Sequence, residues 1–487
     1  MRLLPLVAVL LAPVLAAGEA PPPTEGEVWT SLDALFADVA AYRAGVENQA
    51  DKAATQAAWD GLLRKWGQAP GMVPPGDERG LVAAVLPAVG TGVHVASPLR
   101  TPAFAQRLGS ARPRAVAQHG GSLASEAAVA SALRWFKRHQ SPNGSWDAVD
   151  YVGNCAEAPK CEPGSLGIYA PEAIRAALTG YALLSFLAAG HDHVSPNRHR
   201  EVVGKGIRYL LEVQTPDGLL GLRNYEHPIA TMALIEAYAL SGDAALRKPC
   251  QMAVDVIVKR QCGDAAGGYG WDYLGPSRRN DGSVTGWNVQ ALCSAQAAGL
   301  KVGRALDGAR VWLEAAWRAN NDGVGGRPDW QRLNPATDAS LFSYCWTAGD
   351  KAFAPAFGHQ NLAPVGLACA GLFGRRAGDP LFETLANSVL AKQLPTAYPL
   401  NTYYLYYGTL GMYQLGGAKW QTWNTAMRDL LVKAQRRGDG CLDGSWDWVG
   451  TVFHGNEIGR VLITAHNTLS LEVYYRYAAW PVAKRGR

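Results

Sequence analysis

The chain has 487 residues, of which 18% are charged and 48% hydrophobic, and a formal net charge of +5. Lys484, Arg485 and Arg487 supply three of those charges at one end, so the body is close to neutral and lacks the concentrated basic face that nucleic-acid binding needs. With 16 Trp and 19 Tyr, the rings either pack many similar elements together or line a cavity.

After Met1 and Arg2 the chain is apolar from Leu3 to Ala17, and small residues follow at Gly18 and Ala20. A helix over that run reaches only about 22 Å, short of the roughly 30 Å hydrocarbon core. One positive charge, a short apolar run and an Ala-rich end predict a secretory signal peptide over 1–20, cleaved between Ala16 and Ala20. No Cys lies near that site, which argues against a lipid anchor, and no later segment is apolar for long enough to span a bilayer. The expected location is therefore periplasmic or extracellular. Residues 21–118 read as a linker beginning at Pro21–Pro23 and a helical extension, with Val28–Gly67 as its main helical stretch.

From 119 to 480 the chain repeats itself. Six segments share an amphipathic helix ending near Gln, a Gly-, Asp- or Asn-rich turn, and often a Trp: Ala132–Trp146, Gly206–Gly218, Ala253–Trp271, Ala309–Gly323, Leu385–Gln393 and Ala426–Trp446. The fourth has Ala-Asn in place of Gln and the fifth lacks the Gly-Trp ending. Each is followed by a more apolar helix, over about Pro171–Ala189, Ile229–Ser241, Thr285–Ala298, Leu362–Arg375, Tyr404–Leu415 and Arg460–Tyr477. The first helix of each pair carries charge on one face and suits the outside, and the second suits the inside. Such hairpins stack side by side, and closing the stack covers its two ends. The prediction is an all-α, α6/α6 toroid of six hairpins, followed by a basic tail over 481–487. The repeated Gln and Trp are expected to tie neighbouring hairpins together.

The stretches His139–Asp147, His227–Asp243, Ser283–Leu300, Tyr403–Asn424 and Leu471–Tyr477 make the chain resemble the prenyltransferase and squalene-oxidase (terpenoid cyclase) repeat superfamily, in particular its exported bacterial members. The resemblance implies a central cavity near the inner-helix ends. Its chemistries are not carried with it. Squalene-hopene cyclases use D-x-D-D, whereas Asp147-Ala148-Val149-Asp150 spaces its two carboxylates differently. Protein prenyltransferases hold zinc with Asp, Cys and His, but no D-x-C accompanies His466, and the thioester motif G-C-G-E-Q of other toroids is missing.

Candidate site residues therefore come from the inner-helix starts. Glu226 and His227 could serve as general acid and base, or could be ordinary helix-capping groups. Asp272 lies between Trp271 and Tyr273, although Trp-Asp recurs at 146–147 and 446–447, which favours a structural role. Tyr225, Trp271, Trp287, His359, Tyr404 and Arg460 are the candidate ligand-binding groups, with Arg460 equally suited to a salt bridge. His191-Asp192-His193 sits on a polar turn and is read as solvated, so no metal and no cofactor are expected. Cys155 and Cys161 bracket a short Pro-containing loop and form the best disulfide pair, while Cys293, Cys345 and Cys369 read as small buried hydrophobes. The functional expectation is a toroid that binds an apolar or saccharide ligand or a protein partner. The alternative is an enzyme acting in the cavity, either terpenoid cyclase- or transferase-like or a polysaccharide lyase or hydrolase.

Overall fold

The computed structural model describes residues 38–46, 49–65, 71, 73–74, 102–109, 111–167, 169–263, 269–277, 279–321, 342–347, 352–353, 362–450 and 455–477. The expected signal peptide, His359 and the basic tail lie outside them. Among the described residues no helix is long and apolar enough to cross a membrane.

Six inner helices, Pro171–Ala188, Glu226–Ser241, Gly282–Ala297, Ala363–Leu372, Thr402–Leu415 and Arg460–Leu471, pack each against the next, and the sixth packs against the first. The α6/α6 ring is closed. Six outer helices precede them in turn: Leu123–Arg138, Arg200–Val213, Arg247–Lys259, Ala305–Asn321, Pro380–Gln393 and Gly417–Ala434. The burial patterns explain the two layers. Every residue of Glu226–Ser241 is buried, whereas Arg200–Val213 buries Val202, Val203, Gly206, Ile207, Tyr209 and Leu210, a stripe at helical spacing. Close approach of inner helices rests on small residues: a Cβ at Gly180 of the first would lie 3.0 Å from the Ala230 backbone of the second.

The repeated Gln is the joint between hairpins. Its amide nitrogen donates to a carbonyl of its own turn and to one near the start of the next outer helix. Gln140 reaches Gly144 O and Val202 O, both at 2.9 Å; Gln214 reaches Gly218 O and Pro249 O; Gln261 reaches Tyr269 O and Ala305 O. Gln435 of the last hairpin reaches Gly444 O at 3.0 Å and Ala128 O of the first outer helix at 2.8 Å, which shuts the ring. The Trp works within its own hairpin. The indole N–H groups of Trp146, Trp271 and Trp446 donate to Phe136 O, Ile257 O and Leu431 O, carbonyls near the ends of their own outer helices.

The elements differ from expectation mainly at their starts. The second inner helix begins at Glu226 rather than Ile229, so the Glu-His pair forms its first turn. The third begins at Gly282, because Asp281 accepts from Ser283 N and Val284 N as its N-cap. Three short strands, β1 Arg279–Asp281, β2 Cys345–Thr347 and β3 Ala352–Phe353, pair antiparallel in that order, with Arg279 opposite Thr347 and Trp346 opposite Phe353. N-terminal to the ring lie the helices Lys52–Lys65 and Ala111–His119 and the 3-10 turn Pro102–Arg107.

That turn closes one end of the bore. Arg107 is buried and donates to Glu236 Oε2 at 2.5 Å, while Arg476 donates to Glu236 Oε1 at 3.0 Å. Arg107 also reaches Arg476 O and Leu187 O. Beside it Arg112 pairs with Glu126 and donates to the Tyr475 hydroxyl. Glu236 and Leu187 sit near the C-terminal ends of their inner helices, so the opposite end is where a site can open.

Candidate functional site

At the N-terminal ends of the inner helices the structure places half-buried rings around one guanidinium. Tyr225 stacks on Tyr273 with centroids 6.3 Å apart and 12° between planes. The Tyr273 and Tyr344 hydroxyls lie 3.3 Å apart, and the Arg279 guanidinium stands 5.8 Å and 5.7 Å from the two ring centroids. Arg279 donates to Asp272 Oδ1 at 2.6 Å and to Asp281 Oδ2 at 2.7 Å. Strand β1 makes this possible, since it sets Arg279 two residues before the capping Asp281. These groups form the mouth.

Below the mouth, where a central cavity is expected, is an aromatic chamber filled by its own buried side chains, which pack ring against ring. Trp287, Tyr406 and His466 lie nearly parallel: Trp287 is 5.3 Å from Tyr406 at 18° and 6.4 Å from His466 at 15°. Tyr181 meets Trp287 edge-on at 5.3 Å and His466 edge-on at 5.0 Å, and Tyr407 lies 5.1 Å from Trp287. Tyr403 joins mouth and chamber, donating to Ser283 O at 3.0 Å while its ring touches those of Trp287 and Tyr407. The floor is a network in which Tyr406 donates to Gln290 Oε1 at 2.7 Å and accepts from Arg476.

The chamber is polar at its edges. Trp287 Nε1, the Tyr407 hydroxyl and His466 Nε2 are buried and have no hydrogen-bond partner among the described residues. His466 Nδ1 lies 3.1 Å from Thr402 Oγ1, and burial lowers the pKa of this imidazole to about 3, which keeps it neutral. Burial raises the Tyr181, Tyr403 and Tyr407 phenols well above their ordinary range, so these hydroxyls remain neutral as well.

The structure distributes the sequence candidates over different roles. Tyr225 belongs to the mouth and Trp287 to the chamber. His227 does not face the site: its Nδ1 accepts from Leu220 N at 3.0 Å and its Nε2–H donates to Ala253 O at 2.9 Å, leaving neither nitrogen free for proton transfer. Glu226 accepts from Arg223 N at 2.7 Å as a helix-start group, and burial is the main cause of its raised pKa. Asp272 is bound by Arg279 and by the Ser277 hydroxyl at 2.8 Å. Trp271 is the structural Trp of its repeat. Tyr404 is buried beside Tyr403, with ring centroids 5.8 Å apart. Arg460 donates to Asp447 Oδ1 at 2.9 Å and to Glu162 Oε2 at 3.1 Å, the salt-bridged outcome. Asp192 accepts from Val194 N and Ser195 N within its own turn and His193 pairs with Asp243; His191 and Asp192 are buried, so the HDH turn is not the solvated one expected. Cys155 and Cys161 are both free thiols here, not a disulfide, and meet over His139.

Tyr181, Arg279 and Tyr344 were not singled out from the sequence. Tyr181 sits inside an apolar helical run, and the other two become neighbours only through the pairing of β1 with β2.

No family model matches the chain, and no curated protein matches it. Solved structures do resemble it in chain path. An inactive variant of the α-1,6-mannanase GH76A of Salegentibacter sp. HEL1_6, in complex with α-1,6-mannotriose, has a TM-score of 0.49 and 10% identity, over 73% of this chain and 99% of that one. An α-amylase from Clostridium perfringens has 0.46 and 10%, over 71% and 98%. An unsaturated glucuronyl hydrolase specific for heparin has 0.48 and 12%, over 73% and 97%.

Proposed function

We propose that this toroid binds a neutral saccharide through the tyrosine-lined mouth and the aromatic chamber beneath it. The observation that carries the reading is the set of polar edges on buried rings at Trp287, Tyr407 and His466. A buried donor or acceptor without a partner costs about 1–3 kcal/mol. An isoprenoid or acyl chain would leave those groups unpaired, whereas a sugar presents C–H faces to rings and hydroxyls to their edges. The half-buried Tyr225, Tyr273 and Tyr344 extend the same chemistry outward. Isoprenyl diphosphate chemistry is not part of the proposal, because Arg279, the mouth cation, is already neutralised by Asp272 and Asp281.

The test is calorimetric titration of the purified protein with neutral oligosaccharides, mannooligosaccharides among them, against isoprenoid and fatty-acyl ligands. Saccharide binding that weakens at least about tenfold in Tyr273→Ala and in Trp287→Phe is the expected result, since each loses a ring face or a donor worth roughly 1–3 kcal/mol. Binding of the apolar ligands alone, or saccharide binding indifferent to both substitutions, would overturn it.

A second reading is cleavage of the bound saccharide with Asp272, the salt-bridged carboxylate at the mouth, as base or nucleophile; Asp281 takes no part, because its buried carboxylate already accepts from Ser283, Val284 and Arg279. Release of reducing ends by the wild type, abolished in Asp272→Asn, would establish it; binding without product would leave the protein a binder.

A further inference from the structure

Away from the aromatic rings, the seam between the last hairpin and the first gathers two thiols and an imidazole. His139, at the C-terminal end of the first outer helix, points Nε2 at Cys155 Sγ at 3.4 Å and at Cys161 Sγ at 3.6 Å. These three ligand atoms lie within 4.8 Å of one another, and all three residues are buried. Cys441, from the turn of the last hairpin, accepts from Glu157 N at 3.2 Å through its sulfur, and its carbonyl oxygen accepts from the Cys161 thiol at 3.5 Å. The turn comes this close because residue 440 is Gly: a Cβ there would collide with the Ala158 carbonyl oxygen.

We infer that His139, Cys155 and Cys161 form a three-residue site for a zinc-class divalent cation beside the seam of the closed ring, with a fourth coordination position open. The His139 tautomer is set from behind. Its Nδ1–H donates to Trp135 O at 2.8 Å, which leaves Nε2 as a bare lone pair, the arrangement that orients metal-binding histidines. Two sulfurs converge on that one lone pair. A cation at the centre satisfies all of them. With metal–sulfur and metal–nitrogen bonds of about 2.3 Å and 2.0–2.1 Å, a tetrahedral site places sulfur and nitrogen roughly 3.5 Å apart, which the two measured separations bracket. Soft thiolates with one imidazole select zinc over calcium or magnesium. On binding, the two thiols release their protons to solvent, and the two thiolates balance the charge of the dication.

The cysteine chemistry also permits the sequence-based alternative, a Cys155–Cys161 disulfide, and the two are separable on the full-length protein. Metal content of the purified wild type is measured by mass spectrometry of the elements, together with its intact mass and its thiol count after denaturation. Apo-protein is then titrated with Co²⁺, whose absorption reports tetrahedral thiolate ligation. One equivalent of zinc, all thiols free, a thiolate-to-cobalt band and at least about tenfold weaker Co²⁺ binding in Cys161→Ser support the site. Cys293→Ser should leave all of these unchanged. A wild type that binds no cation and is lighter by the two hydrogens of a disulfide overturns it. So does metal content indifferent to both Cys155→Ser and Cys161→Ser. If either variant misfolds, the wild-type cobalt spectrum and thiol count still decide, because a disulfide removes two of the ligands. Saccharide binding plays no part in any of these readings.

Discussion

Replacing His227 by Ala removes both ends of a bridge between the turn at Leu220 and the outer-helix carbonyl of Ala253. The loss strands two buried backbone groups at about 1–3 kcal/mol, so a urea melt should show that destabilisation while the folded variant keeps its ligand affinity. The same residue carries a pH prediction. Burial holds the His227 imidazole at about 4 and that of His466 at about 3, below the ordinary 6.5. The unfolded chain therefore takes up protons first, and the stability these groups contribute is present above pH 6.5 and lost as pH falls toward 4. Melts at a series of pH values should show a declining midpoint across that window, less steep in His227→Ala. A Glu-His pair at a helix start was legible in the sequence. Its use was not, because both partners of the imidazole are backbone atoms supplied by tertiary packing.

Among the elements, the Gln joint recurs where the motif is kept. Gln214→Ala leaves Gly218 O and Pro249 O without their shared donor and should lower stability by about 1–2 kcal/mol, read from denaturant midpoints. Gln435→Ala should cost at least as much, since its two bonds join the last hairpin to the first. The hairpins could be read from the sequence because the same turn chemistry returns with each outer helix. The inner-helix starts were misplaced by up to three residues, since polar openers such as Glu226 and Asp281 break the apolar pattern that marks the rest. The mouth was only partly visible for a related reason. Arg279 and Tyr344 meet through three-residue strands, too short to leave a periodic signature.

For the molecule as a whole, the buried triad Arg107–Glu236–Arg476 joins the N-terminal segment, the second inner helix and the chain after the sixth. Glu236→Gln preserves the shape but leaves two buried guanidinium groups without their countercharge. The expected loss is about 3–5 kcal/mol in a denaturant melt, larger than for any single joint. Nothing in the sequence marked this triad, whose members lie 129 and 240 residues apart. It also decides how a ligand can travel. On the proposed binding mode the site is a blind well, because Arg107, Glu236, Arg476, Tyr406 and Gln290 form one bonded network across the ring. A polymer cannot be threaded through it or slide along it from one unit to the next; it can only dip a terminus or a short side branch and withdraw by the same route. Recognition in such a well counts chain ends, so at equal mass a ligand preparation of many short chains should occupy the protein more fully than one of few long chains.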